Sequence, residues 1–380
     1  MRKPWAVSLA LTLVVMPAMP HAQAAIKAAN IARAGDDCSK VGKTAVGRGV
    51  DGVDLECLKV TTGTFAGKLV WWYQNLKPLG RYEVVTPTDT RTSDSKEVAA
   101  SRTGDRIGAV FGSAMKSEGL LSECVLKSII GNSGILALST FQNYKKRVDS
   151  SFIGNLGLLN AIALTKSPTS LSNSIPLARL AQEYEAIAVP VNSKYKNIAQ
   201  LMDDMKVNPK TITFVGGAVG GVDHVFLSKL ATYGGADIKN LQYQGYSSSY
   251  AINTAVLSNN SYVALSSSAD FIAGLASGKL RNLGIASPDR LPWLKGKTLT
   301  SQGIKIVFGN WYGIFIPLDL PEADKNNIIH LVDVLHSSIT WRNTLLANHW
   351  SDGYLSHSDF AALIDSQKSD IKTFADLLGM

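Results

Sequence analysis

The chain has 380 residues, 46% hydrophobic and 18% charged, an ordinary globular composition whose length suits about two domains. Its formal charge of +8 is mild and spread along the chain, so it favours anionic partners weakly and forms no nucleic-acid stripe. No segment after the N-terminus holds eighteen uninterrupted apolar residues, so the mature chain is expected to be soluble.

Residues 1–24 read as a secretory signal peptide. Arg2 and Lys3 precede an apolar run, Trp5 to Met16, and Ala22-Gln23-Ala24 is a small-x-small site cut after Ala24. The mature protein is therefore expected to be exported, to the periplasm or the cell surface. No cysteine stands at the cut, so no lipid anchor is expected there. Residues 25–77 form a small β module and a linker. Gly42, Gly47, Gly49, Asp51-Gly52, Gly63 and Gly67 separate short β-type runs at Leu55 to Val60 and Leu69 to Tyr73. In an oxidising compartment Cys38 and Cys57 are expected to pair, and the bridge helps a module too small to bury much core. Cys124 is left over in an apolar stretch and reads as a buried free thiol, not a metal ligand. Trp71 and Trp72 are either a ligand pair or the cap of the little core, and the second is preferred.

From Tyr82 the pattern becomes α/β. Strands are predicted at Tyr82 to Val85, Val125 to Ile130, Phe152 to Gly157, Ala186 to Val191, Thr211 to Val215, Leu241 to Tyr243, Tyr262 to Ser266, Asn282 to Ser287 and Lys305 to Phe308. Helices are predicted at Ser95 to Glu118, Ile135 to Tyr144, Asn197 to Met205, Val222 to Tyr233 and Ser248 to Leu257, and mostly from Glu322 to Leu378. Strands alternating with helices imply parallel sheets, and such sheets bind ligands at the carboxyl ends of strands. Three small-residue loops fit that position: Thr86 to Asp94, Gly131 to Gly134 and Gly216 to Gly221. The last follows a strand and opens a helix, so it presents uncapped amides and a positive dipole end. It matches neither a dinucleotide fingerprint nor a Walker loop. Its alternative role is a turn that lets a helix pack closely on a sheet. Asp223 reads as a first-turn acid or loop-orienting acceptor, and His224 as a structural residue rather than half of a catalytic pair.

Four separated motifs carry a family resemblance: Val215 to His224, Tyr243 to Ser249, Leu275 to Pro292, and Gly303 to Pro317. In this order and spacing the chain resembles the substrate-binding proteins of tripartite tricarboxylate transporters, the Bug or TctC-like extracytoplasmic solute receptors. The resemblance runs from about Tyr82 to Met380. It implies a two-lobed periplasmic-binding-protein fold of type II, each lobe a mainly parallel sheet flanked by helices. It places lobe I at 78–188 and 300–380 and lobe II at 189–299, with crossings near Ala188 to Asn192 and Lys297 to Ser301. The ligand set expected from the loops and the resemblance together is Thr88, Asp89, Thr90, Arg91, Asp94, Asn132, Ser133, Gly217, Gly220, Gly221, Asp223, Ser247 and Ser267. The family's first loop is usually glycine-rich, whereas Thr90 and Arg91 stand here. Arg91 either pairs with a ligand carboxylate or lies outside the cleft. The resemblance implies capture of a small organic anion, such as a di- or tricarboxylate, by a monomer that presents it to membrane transporter subunits. No cofactor, metal, nucleic acid or catalysis is expected. Two alternatives are an exported hydrolase using Ser133 or Ser267, which requires a histidine in reach, and a cell-surface sensor or adhesion protein that uses the cysteine module.

Overall fold

The computed structural model describes residues 31–32, 34–47, 54–61, 63–88 and 103–378. The expected signal peptide and its expected cut site lie outside them, as do residues 89–102. Among the described residues, no helix is long and apolar enough to cross a membrane.

Two sheets are built. The small one comprises β1 (Ile31–Ala32), β2 (Thr44–Gly47), β3 (Asp54–Lys59) and β4 (Leu69–Tyr73), in that order. Cys38 and Cys57 are bridged, with Cα atoms 5.8 Å apart. Trp72 packs edge-on against Phe65, 5.5 Å between ring centroids, and so caps the module's core. The module is tied to the rest of the chain. Tyr73 stacks on His330 at 4.0 Å and donates to Asp333 at 2.5 Å. Asn327 exchanges two hydrogen bonds with the Lys77 backbone, at 2.8 and 2.9 Å.

The large sheet has ten strands among the described residues, and one of them organises it. Strand β8 (Ser174–Pro190) is seventeen residues long. At roughly 3.3 Å per residue it spans ~55 Å, enough to belong to two lobes at once. Its first half pairs antiparallel with β13 (Gly309–Pro317) and β14 (Ser351–Leu355). Beyond β13 lie β7 (Ser150–Asn155), β5 (Leu79–Thr88) and β6 (Leu121–Ile130), mutually parallel. Its second half pairs antiparallel with β11 (Tyr262–Ser267) and β12 (Leu280–Ile285). Beyond β11 lie β9 (Thr213–Gly216) and β10 (Gln242–Gly245), again parallel. The fold is the expected two-lobed α/β architecture, with mixed sheets because β8 and β13 run against their parallel neighbours.

Two predicted strands need correction. The strand predicted at Ala186 to Val191 is the tail of β8, which starts at Ser174. Lys305 to Phe308 is not a strand. Phe308 sits where the chain passes from one half of the large sheet to the other: its N–H donates to Ala286 at 2.9 Å and its carbonyl accepts from Glu185 at 3.1 Å. Cys124 is free but only half-buried, its sulfur lying where a Cβ on Gly112 would sit.

One apolar core continues from lobe to lobe, joining Phe152, Phe315 and Phe360 to Phe214, Val263 and Leu265. The C-terminal helix His357–Leu378 closes that side. Trp311 belongs to this packing, edge-on to Phe360 at 5.1 Å and donating to Gln367 at 2.6 Å, so it is core. Lys229 pairs with Asp370 at 3.1 Å across the same seam.

Candidate ligand site between the lobes

Strand register locates the site. In lobe I, β7 ends at Asn155, opposite Tyr312, and β13 in turn sets Asn310 opposite Glu183. In lobe II, β11 ends at Ser267, opposite Glu185. The carboxyl ends of the parallel strands of both lobes therefore come level with one stretch of β8, from Ala181, opposite Tyr312, to Glu185. Loops leave the sheets at this level, which is where α/β ligands sit.

Glu183 and Glu185 are two apart on a strand, so both side chains point to the same face. Their surroundings differ. Glu183 accepts from Tyr312 at 2.8 Å and from the Trp350 indole at 2.7 Å. Asn310 donates to the Tyr312 oxygen and accepts from the Leu156 N–H, which ties the network to the start of helix Leu156–Leu164. Arg106 lies 4.9 Å over the Trp350 ring and is clamped by two bonds to Asn348, at 2.9 and 2.7 Å. Glu185 is 2% exposed, and its Oε2 has no partner among the described residues. Burial, and then the charges of Asp223, Asp270 and Glu183, push its carboxyl well above the usual Glu range. Asp270 is also raised by burial, although the Ser266 hydroxyl donates to it at 2.6 Å and Arg106 opposes the shift.

The glycine loop is built differently from the expectation. Gly217 N–H donates to Asp223 Oδ2 at 2.6 Å, Gly220 N–H to His224 Nδ1 at 3.1 Å, and Gly221 N–H to the Ala218 carbonyl at 2.8 Å. These three amides, expected to be uncapped, are satisfied by protein. The loop precedes helix Val222–Gly234, and the first turn of that helix folds its own Asp223 and His224 back onto it. Asp223 is thus the loop-orienting acceptor, and burial raises its carboxyl to about 7. His224 stacks on Tyr243 at 4.2 Å, and burial lowers it to about 4. Tyr243 in turn donates to the Gly217 carbonyl at 2.8 Å. Gly220 is needed for its backbone: φ is +82°, and a Cβ would lie 2.5 Å from Leu164 of the opposite lobe.

The other expected residues fall as follows. Thr88, the last residue of β5, is 4% exposed and its hydroxyl has no partner among the described residues. Ser267, the last of β11, is half-buried, and its enclosed hydroxyl likewise has no partner among them. Asn132 and Ser133 are exposed in the turn after β6, both in the left-handed region, with φ of 48° and 50°. That conformation costs about 1–3 kcal/mol per non-glycine residue and is concentrated at functional sites. Ser247 is exposed beside Ser248, which caps helix Ser249–Ser258. Asp89, Thr90, Arg91 and Asp94 lie outside the described residues. The sequence reading missed Glu183, Glu185, Asp270 and Arg106. The signal for the two glutamates was present: Gln182-Glu-Tyr-Glu185 is a polar break directly before the predicted strand Ala186 to Val191.

Among the described residues, no histidine bonds to Ser133 or Ser267. The His224 ring is held by Gly220, His336 by Asp352 at 3.1 Å, and His357 by the Pro176 carbonyl. Nor does any group of three or more His, Cys, Asp or Glu among them form a metal-binding cluster.

Comparison with known proteins bears directly on this arrangement. A family model described as "Tripartite tricarboxylate transporter family receptor" matches residues 166–373, more than half of the chain. The protein belongs to that family. The match begins just before β8 and includes all of lobe II and the glutamate pair. A Pseudomonas sp. (strain P51) relative, "UPF0065 protein in tcbD-tcbE intergenic region", is 22% identical to the receptor over 247 residues, 61% of this chain and 72% of the relative. A TctC solute-binding protein from Polaromonas superposes with a TM-score of 0.63 at 17% identity, over 80% of this chain and 99% of its own. An R. palustris protein solved with adipate gives 0.63 at 15% identity, over 80% and 98%. These two structures share the receptor's fold.

Proposed function

We propose that the receptor works outside the cytoplasmic membrane, where it captures a small carboxylate between its lobes and presents it to a tripartite tricarboxylate-type transporter. It performs no chemistry on the ligand. The observation that carries this is two enclosed hydroxyls without partners among the described residues, Thr88 at the end of β5 and Ser267 at the end of β11, the latter opposite Glu185. A buried hydroxyl without a partner costs about 1–3 kcal/mol, and a ligand oxygen that reaches one of them removes that cost there. Family membership and the adipate-bound R. palustris relative support an acid as that ligand.

In this reading Asn132, Ser133 and Ser247 stand at the rim, and Asp89 to Asp94 supply the first-loop contacts, Arg91 among them. Gly217, Gly220, Gly221 and Asp223 act by shaping the loop rather than by donating to the ligand. The leader over residues 1–24 delivers the chain across the membrane and is removed.

A thermal-shift screen of C4 to C6 mono-, di- and tricarboxylates tests the proposal. A ligand at a hundred times its Kd stabilises by about 2.7 kcal/mol, a shift easily seen. Thr88→Ala and Ser267→Ala should each reduce the shift while leaving the unliganded melting point close to the parent's. If no acid moves the melting curve, the proposal fails.

A further inference from the structure

Four carboxylates face the seam: Glu183 and Glu185 from β8, Asp223 from the start of helix Val222–Gly234, and Asp270 from the turn after β11. The charged and titratable groups set against them are the Arg106 guanidinium, which acts on Glu183 and Asp270, and the Tyr243 phenol beside Asp223 and Glu185. Three of the four acids are anchored by protein donors: Glu183 by Tyr312 and Trp350, Asp223 by Gly217, and Asp270 by Ser266. Glu185 Oε2 alone among them lacks a partner, in a residue 2% exposed, next in the ladder to the unpartnered Ser267 hydroxyl.

A cationic group is favoured in such a field, and its N–H groups supply the donor that Glu185 Oε2 lacks. We propose that the ligand is an amino-substituted carboxylic acid whose ammonium group is held by Glu185, within the negative field of Asp223 and Asp270. This rests on the carboxylate reading above and adds the second group that the site recognises. An ammonium carries three N–H donors on a compact charge, which suits a buried carboxylate oxygen without a donor. A bare metal ion does not suit it, since no metal-binding cluster is present among the described residues. Charge-assisted bonds of this kind contribute enough to discriminate strongly between a ligand with the donor and one without.

The proposal also fixes the direction of proton flow. Burial and like charge shift Glu185 toward its protonated form in the empty protein. An arriving ammonium favours the carboxylate, so the proton leaves Glu185 for solvent as the ligand binds.

The test is isothermal calorimetry on the mature protein with matched pairs: succinate and aspartate, glutarate and glutamate, adipate and 2-aminoadipate. The amino acid of at least one pair is expected to bind about tenfold or more tightly than its partner. Repeating that titration near neutral pH in buffers of different ionisation enthalpy should show proton release. Glu185→Gln should erase the preference, read as the ratio of the two affinities within each pair; the native-protein proton count needs no variant at all. Tighter binding of the unsubstituted acids, or proton uptake on binding, overturns the inference and leaves the carboxylate reading standing. Failure of every acid to bind overturns both.

Discussion

The two halves of β8 solve the same problem in opposite ways. Both carry a buried or half-buried glutamate on one face, two residues apart, at the junction of the sheets. The lobe I half surrounds Glu183 with an indole N–H, a phenol and, behind them, a clamped arginine. The lobe II half leaves Glu185 beside an unpartnered serine and three other acids. The first arrangement stabilises the fold. The second costs stability in the empty protein, and such a cost persists where a ligand relieves it.

Removing Glu183 should have the largest effect. Glu183→Ala takes the acceptor from the Trp350 indole and one of the partners from Tyr312, and is expected to cost about 3 kcal/mol or more in urea unfolding. A loss below 1 kcal/mol would show that the network is not structural. Gly220→Val comes next. It forces a β-branched residue to a φ of +82° and a contact with Leu164, for about 2–3 kcal/mol from strain and overpacking together. Full retention of thermal stability would mean the loop is less constrained than its contacts imply.

Glu185→Gln should sharpen the contrast, because the empty variant is expected to be as stable as the parent or more stable. The pH dependence carries the sign. Native Glu185 holds its proton above the ordinary value of 4.5, at which the unfolded chain releases it. Its stabilising contribution is complete below that value and is lost as pH rises toward its raised native value. Asp223, raised to about 7, acts in the same direction up to neutrality. Melting curves from pH 5 to 8 should therefore show a smaller alkaline loss for Glu185→Gln than for the parent; identical slopes would contradict this. The smallest effect is expected far from the seam. Tyr73→Phe removes one bond to Asp333, which Tyr354 still contacts at 3.2 Å, and should cost about 1 kcal/mol by chemical denaturation.

Much of the architecture was legible because its signals are local. Thr211 to Ala231 announces strand, glycine turn and helix within twenty-one residues, and all three stand there, with β9 starting at Thr213 and the helix at Val222. The Cys38–Cys57 bridge followed from compartment and spacing. What escaped was non-local. Gln182 to Glu185 looks unlike a strand because its polar residues face the seam, and only pairing with Gly309–Tyr312, some 125 residues on, makes it one. The fate of the glycine-loop amides escaped for a related reason. A strand–loop–helix pattern says that N–H groups are present, but not that Asp223 and His224 fold back to take them. Arg106 is an ordinary first-turn helix residue in sequence, and acquires meaning only from Trp350 and Asn348 beside it.

The continuity of β8 has a mechanical consequence. The lobes are joined by an unbroken, ladder-bonded ribbon, so they cannot swivel as on a slack tether; any gape between them has to twist the ribbon where Tyr184 changes ladders. That torsion moves Glu183 and Glu185 against each other. Motion of the halves and the chemistry offered to a solute are thereby geared to one axle, and stiffening Tyr184's neighbourhood should slow exchange at the pocket even when every contacting group is left in place.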